Sequence, residues 1–332
     1  MLLVLHARLQ HLFKKTFQDR TFSALLASLD RRMRAADASV RVTAPFALKR
    51  AHRAQTLARS SPRAPPASAR TLFALDFDGV VCDSVGESSL SAWRHGLELW
   101  PEIFATDQAS REKSRVMAEL RAVRPVVETG YENTTLARAL LERLDGYSVD
   151  AILGNWDNMS SDLMVRWNLD RATMVEAFGR IRDDWIKADL DGWLAPNALY
   201  PGVAEAVLAA QARTDGEVKI VTTKQARFAT AIMAKMGGIT IAEEDMFSTT
   251  VSGIPKTEVL KTLGVGGRKR KVFVEDKLST LEKVCKVSTL NDWELFLVDW
   301  GYNTASERAR AAANPRISVI GVDEFIALLR LG

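Results

Sequence analysis

Cysteine and histidine are scarce. Only Cys82 and Cys285, and His6, His11, His52 and His95, occur in 332 residues. Two thiols cannot build a disulfide framework. Three of the histidines fall in the first 70 residues, so the remainder carries His95 alone. That argues against a Ser-His-Asp triad and against a His/Cys zinc cluster. No uninterrupted apolar run reaches the ~18–20 residues of a membrane-spanning helix. Chemistry in this chain therefore rests on carboxylates, hydroxyls and lysines. The 47% hydrophobic and 26% charged content is enough to bury a core, and the length corresponds to about two domains.

Acids are scarce at one end. Residues 1–70 hold 14 Lys and Arg against 3 Asp and Glu; with 45 and 41 in the whole chain, 31 and 38 remain for residues 71–332. A net charge of +11 thus precedes one of −7, and the overall +4 is no argument for a nucleic-acid partner. The Arg-, Ala- and Ser-rich, acid-poor segment 1–70 has the composition of an organelle transit peptide, with a basic disordered tail as the other reading. A secretory signal fits less well, because His6 and Arg8 interrupt Met1–Leu5 before an apolar stretch of about 7–15 residues can form.

The first buried-type strand is Thr71-Leu72-Phe73-Ala74-Leu75, closed by Asp76-Phe77-Asp78-Gly79. Short continuous apolar runs of this kind suit strands covered on both faces. They recur at Val218–Val221, Val272–Val274, Leu295–Val298 and Ile317–Ile320, with helical patterns between them at Gly202–Ala212, Gln225–Met236 and Thr257–Leu263. Strands alternating with helices predict an α/β fold with a parallel sheet. Residues 87–195 show no strand and read as helices over Ser88–Trp100, Arg111–Arg121, Leu136–Leu144, Ser160–Trp167 and Ala172–Lys187. This is a domain-sized insertion. It carries six of the eight tryptophans, Trp93, Trp100, Trp156, Trp167, Trp185 and Trp193, expected as the core of a small helical domain. The run Arg268-Lys269-Arg270-Lys271 reads as a solvated turn.

Asp76 and Asp78 stand two apart at the C-terminal end of the first strand, where open parallel sheets place their ligand sites. Two such carboxylates repel unless a cation relieves one and leaves the other for proton transfer. Gly79 lets the backbone turn sharply behind them.

The segment Leu75-Asp76-Phe77-Asp78-Gly79-Val80-Val81-Cys82-Asp83-Ser84 resembles the first motif of the haloacid dehalogenase-like (HAD) hydrolases, and the insertion resembles their type C1 cap. The resemblance extends over residues 71–332. It implies a Rossmann-like core of residues 71–86 and 196–332, a helical cap of residues 87–195, and Asp76 and Asp78 as catalytic nucleophile and general acid/base. Thr222 in Ile220-Val221-Thr222-Thr223 takes the second motif position and Lys256 in Gly253-Ile254-Pro255-Lys256 the third, both as phosphate-binding residues; Lys224 and Lys261 compete with Lys256. Val272-Phe273-Val274-Glu275-Asp276 takes the fourth. The implied metal is Mg²⁺, held by the carboxylates of Asp76 and Asp276 and the backbone carbonyl of Asp78, with Glu275 as a further candidate. Leu297-Val298-Asp299-Trp300-Gly301-Tyr302 resembles a segment of phosphoglycolate phosphatase-like members, and the Val-Glu-Asp motif resembles HAD proteins of plants and algae, which favours a chloroplast over a mitochondrion. One departure stands out: Thr280 occupies a position where many members have a second acid.

The resemblance implies a Mg²⁺-dependent phosphatase acting on a small phosphate monoester through an aspartyl-phosphate, with no nucleic-acid or membrane partner. A phosphosugar mutase shares Asp76 and Asp78, and a non-catalytic binding or regulatory protein would account for Thr280. A dehalogenase is disfavoured by Asp78. The polar segment Arg124–Asn133 reads either as a specificity loop or as a solvated turn between helices.

Overall fold

Strand β1 (Thr71–Leu75) is buried along its whole length, and its side chains alternate between two cores. Phe73 and Leu75 face one cluster, Leu72 and Ala74 the other, as the two-residue period of a strand requires. The computed structural model describes residues 70–266 and 270–332. The leader expected over residues 1–70 thus lies, but for Arg70, outside the described residues, as do Arg268 and Lys269.

The chain is an α/β protein. After β1 come β2 (Cys82–Asp83), β3 (Ala198–Leu199), β4 (Gly216–Thr222), β5 (Met246–Ser248), β6 (Arg270–Glu275), β7 (Glu294–Val298) and β8 (Ile317–Ile320). Six of them form one sheet in the order β5-β4-β1-β6-β7-β8, every neighbouring pair parallel. The chain steps outward from β1 through β4 to β5, then returns to the other side of β1 for β6. That reversal places β1 where an open parallel sheet opens a crevice at its carboxyl ends.

Between β2 and β3 run the helices α1 (Val85–Leu99), α2 (Asp107–Ala122), α3 (Glu132–Leu141), α4 (Val149–Arg166) and α5 (Arg171–Ala188), with short turns at Pro101–Phe104 and Leu190–Leu194. The main-sheet helices are α6 (Val203–Ala212), α7 (Ala226–Gly237), α8 (Lys256–Gly264), α9 (Leu278–Cys285), α10 (Ala305–Ala312) and α11 (Val322–Leu331). The expected helices are present, mostly longer than their periodic stretch. Thr106, Ser148 and Asp170 cap α2, α4 and α5 by accepting a backbone N–H three residues on, which starts each helix ahead of its apolar stripe.

The tryptophans divide between two cores. Trp93 and Trp156 are buried within the insertion, and half-buried Trp100 and Trp167 pack against them with Arg138 over both rings. Trp185 and Trp193 instead join the cluster on the Phe73 face of the sheet. The insertion is therefore seated on the sheet through α5 and the turn after it. Arg270 and Lys271 are not part of a solvated turn: they open β6, Arg270 donating to both carboxylate oxygens of Glu294 at 2.7 and 2.6 Å and Lys271 pairing with Asp292.

Candidate active site

Beyond β1 the chain closes a tight loop. Val81 and Cys82 N–H both donate to Phe77 O, and Gly79 N–H donates to Cys82 O. Gly79 has φ +82°, and a Cβ there would run into Asp276 Oδ2 and come within 2.9 Å of Tyr302 Cδ2. Only glycine satisfies both conditions. The loop leaves Asp76 and Asp78 on the wall of a cavity of about 380 Å³ at the carboxyl end of the sheet.

The two carboxylates have opposite surroundings. Asp76 lies 3.0 Å from Lys256 Nζ, at the start of α8, and that ammonium also donates to Glu275 Oε2 at 2.7 Å. Asp76, Glu275 and Asp276 are all buried, each offering a carboxylate oxygen within 4.8 Å of the others. Burial, then the neighbouring Glu275, pushes Asp76 up to about 7; burial, then Asp76, pushes Asp276 up to about 6. Asp78 instead accepts from Ser84 Oγ and, at 3.2 Å, from Lys224 Nζ. Burial raises its pKa, but Lys224, Arg124 and the Ser84 hydrogen bond outweigh it and hold the carboxyl below its ordinary value. One fold thus sets two neighbouring carboxylates apart.

Three clustered acids, with Lys256 between two of them and Lys277 beside the third, suit a hard divalent cation with oxygen ligands. Asp76 Oδ1 is buried with the Lys256 ammonium 3.0 Å away but no well-aligned hydrogen bond, which leaves lone-pair capacity for such an ion. Asp276 is oriented for this by Tyr302 N–H, which donates to Oδ2 at 2.9 Å, and by Asn303 Nδ2, which donates to its backbone carbonyl at 2.9 Å. The carboxylate of Asp78 is not in the group. Glu275, the further metal candidate, is fully buried and holds Lys256.

Lys256, Lys224 and Lys261 have separate partners: Asp76 with Glu275, Asp78, and the exposed Glu258. Lys261 is thereby removed from the site. Thr222 ends β4 fully buried, its hydroxyl accepting from Lys224 N–H at 3.1 Å, while Thr223 lines the cavity. Thr280 lines it as well.

The insertion supplies the opposite wall. Arg124, Val127 and Glu128 line the cavity, and Arg124, Val127, Tyr131 and Asn133 are buried, so the segment 124–133 is no solvated turn. The Arg124 guanidinium lies 4.1 Å over the Tyr302 ring and donates to Val127 O at 3.0 Å. Glu132 fixes the turn by accepting from Glu128 and Thr129 N–H, each at 2.7 Å. Lys277, following Asp276, donates through Nζ to Pro125 O and so ties the two walls together.

Sequence reasoning missed Glu87. It is fully buried at the start of α1, accepts from Arg182 Nε and Nη2 at 2.7 and 2.8 Å, from Ser91 Oγ at 2.7 Å and from Trp193 Nε1 at 3.1 Å, and lies 3.5 Å from Lys224 Nζ. A lone acid followed by the small residues Ser88, Ser89, Ser91 and Ala92 was the available signal. Arg182 offered one as well: it falls in the apolar stripe Met174, Phe178, Trp185 of its helix, where a charge needs a buried partner.

No family model matches the chain, and no curated protein matches it at a significant level. Among solved structures it is similar to a predicted phosphatase from Clostridium acetobutylicum at 17% identity, over 79% of this chain and 99% of that one, with a TM-score of 0.47. A predicted phosphoglycolate phosphatase from Haemophilus somnus aligns at 14% identity over 80% and 98% of the two chains, TM-score 0.46. The chain is likewise similar, at 13% identity over 80% of its own length and 99% of the other's, TM-score 0.40, to a haloacid dehalogenase-like hydrolase from Streptococcus pneumoniae.

Proposed function

We propose that this chain hydrolyses a small phosphate monoester, using Asp76 as nucleophile and Asp78 as proton carrier. The observation that carries this reading is the division of labour between them. Asp76 sits against Lys256 in the acidic trio, while Asp78 is turned away onto Ser84 and Lys224.

Asp76, Glu275 and Asp276 are the side chains that would hold a Mg²⁺ ion. Such an ion supplies positive charge that keeps the buried carboxylates ionised and offsets charge on phosphoryl oxygens. Asp76 then attacks phosphorus in line, forming an aspartyl-phosphate as the ester P–O bond breaks. Lys256 stays paired with the equatorial oxygens through the charge shift. Asp78 is ionised at rest; a phosphate dianion entering the cavity raises its pKa, so that it takes up a proton and delivers it to the leaving oxygen. Returned to the anion, it removes a proton from the water that cleaves the aspartyl-phosphate. Thr222 keeps an O–H to donate, and Thr223 lies on the cavity wall.

The test is phosphate release by the full chain from a panel of phosphate monoesters, with Mg²⁺ and with chelator. Turnover that needs the metal, vanishes in Asp76→Asn and falls by about 10²–10⁴-fold in Asp78→Asn fits the mechanism. Unchanged rates in Asp76→Asn exclude it, and an isomerised phosphate ester in place of free phosphate identifies a mutase. The basic segment 1–70 is proposed to direct the chain to chloroplasts; its fusion to a fluorescent protein tests that, and cytosolic fluorescence argues against it.

A further inference from the structure

The cavity carries more positive charge than a single phosphoryl group needs. Lys277, Lys283 and Lys286 line it together with Thr280. Each of these four positions is three residues from the next along α9 and its two caps, so each lies beside the next on a ridge that winds round the helix, about 14 Å from first to last at 1.5 Å per residue. Where the family pattern has a second acid, this row has a neutral Thr280 flanked by ammonium groups. Glu128, across the cavity, is 3.9 Å from Lys283; Lys286 has no acidic partner among the described residues. Arg124 adds a fourth cation. It is only 8% exposed, lines the same cavity, and its Nε has no hydrogen-bond acceptor. A buried guanidinium N–H without an acceptor is costly unless something that enters the cavity supplies one.

The acidic trio already balances Lys256 and the cation it would hold; of the four remaining cations Arg124 and Lys277 face Asp78 and Asp276 and Lys283 faces Glu128 at 3.9 Å, while Lys286 has none of these acids beside it and Arg124 Nε still lacks an acceptor. We propose that the row along α9 and Arg124 form a second anion subsite, and that the substrate carries a second phosphate at the far end of its leaving group. A phosphate suits several convergent N–H donors, because it presents up to two negative charges and three acceptor oxygens. The proposal rests on the hydrolytic reading of Asp76 and deepens it.

The experiment compares butanediol bisphosphate with butyl phosphate on the full chain and on the variant Lys283→Ala/Lys286→Ala, whose replaced side chains are exposed. The bisphosphate should be the better substrate. The variant should lose about 10- to 100-fold in kcat/KM on it, mainly through KM, as the loss of charge-assisted hydrogen bonds predicts. Butyl phosphate should be turned over at an unchanged rate, and Lys283→Arg/Lys286→Arg should restore most of the bisphosphate activity. Equal losses on both esters, or none on either, overturn the subsite. A butyl phosphate ending in a carboxylate that matches the bisphosphate overturns the assignment of a second phosphate. Calorimetric titration with the two esters separates this proposal from the one beneath it. If neither is hydrolysed, yet the bisphosphate binds and the double variant loses that binding, the subsite stands and the hydrolytic reading falls. Equal binding of both esters by both proteins removes the subsite.

Discussion

Arg182, from the helical insertion, grips Glu87 through two parallel hydrogen bonds of 2.7 and 2.8 Å, both side chains buried. Such a pair costs several kcal/mol of desolvation per ion and survives because its geometry is good and its remaining lone pairs are filled; Ser91, Trp193 and Lys224 fill them here. Removing one partner strands a buried charge. Arg182→Met should therefore lower stability by about 3–5 kcal/mol, and Glu87→Gln/Arg182→Met should recover part of that. Urea midpoints at constant slope measure both; a single variant as stable as the parent would show that the pair holds nothing.

His95 should contribute to the acid limb of the stability curve. It is fully buried in α1, with Nδ1 3.1 Å from Thr134 Oγ1 and Nε2 unpartnered, and burial lowers its pKa to about 4 from the model-compound 6.5. The unfolded chain binds the proton first, so His95 contributes full stability above about pH 6.5 and loses it as the pH falls towards 4. The shift corresponds to about 3 kcal/mol. Replacing it in His95→Leu should flatten the decline in stability between those two pH values, and an unaltered slope in parallel denaturation curves would assign the decline to other groups.

Magnesium uptake should expel protons. Asp76 and Asp276, raised to about 7 and 6 by burial and by each other or Glu275, hold protons near pH 6 that a divalent cation must displace. More protons should be released per Mg²⁺ bound at pH 6 than at pH 8. Calorimetry in two buffers of different ionisation enthalpy counts them. The same number at both pH values would mean that these acids do not take the ion.

Gly79 leaves no room for a side chain beside Asp276. Gly79→Ala forces an L side chain into φ +82° and drives its methyl into Asp276 Oδ2. Left-handed backbone alone costs about 1–2 kcal/mol, and relief of the clash requires Asp276 to move. Mg²⁺ affinity should fall further than stability does, and a variant that binds the ion normally would disconnect Gly79 from the metal site.

What sequence could reveal follows from how far apart the interacting residues lie. β1, β6 and β7 are legible because strands covered on both faces are nearly continuous apolar runs, and Asp76, Asp78, Glu275 and Asp276 follow two such runs directly. β5 escaped notice because Met246–Ser248 is three half-buried residues long, too short to show a period. Ser248 and Thr249 carry no pattern that distinguishes a strand end from a loop. The Glu87–Arg182 and Lys277–Pro125 contacts bridge 95 and 152 positions, and no local pattern records such a meeting. Glu275 reads along the chain only as a further metal candidate; its pairing with Lys256, 19 positions away, comes from the fold.

The paired strands β2 and β3 give the insertion a particular kind of portability. Cys82 is opposite Leu199 and Asp83 opposite Ala198, antiparallel, so the outgoing and returning chains pass side by side, about 5 Å apart. A tight hairpin turn can span that gap. The whole helical segment thus leaves and returns on a two-strand stem, and a replacement of different size that still packs against the sheet where Trp185 and Trp193 do should leave the strand ends that carry Asp76, Thr222 and Asp276 in place. Chimeras joined at this stem would be expected to retain the sheet chemistry and change what it acts on.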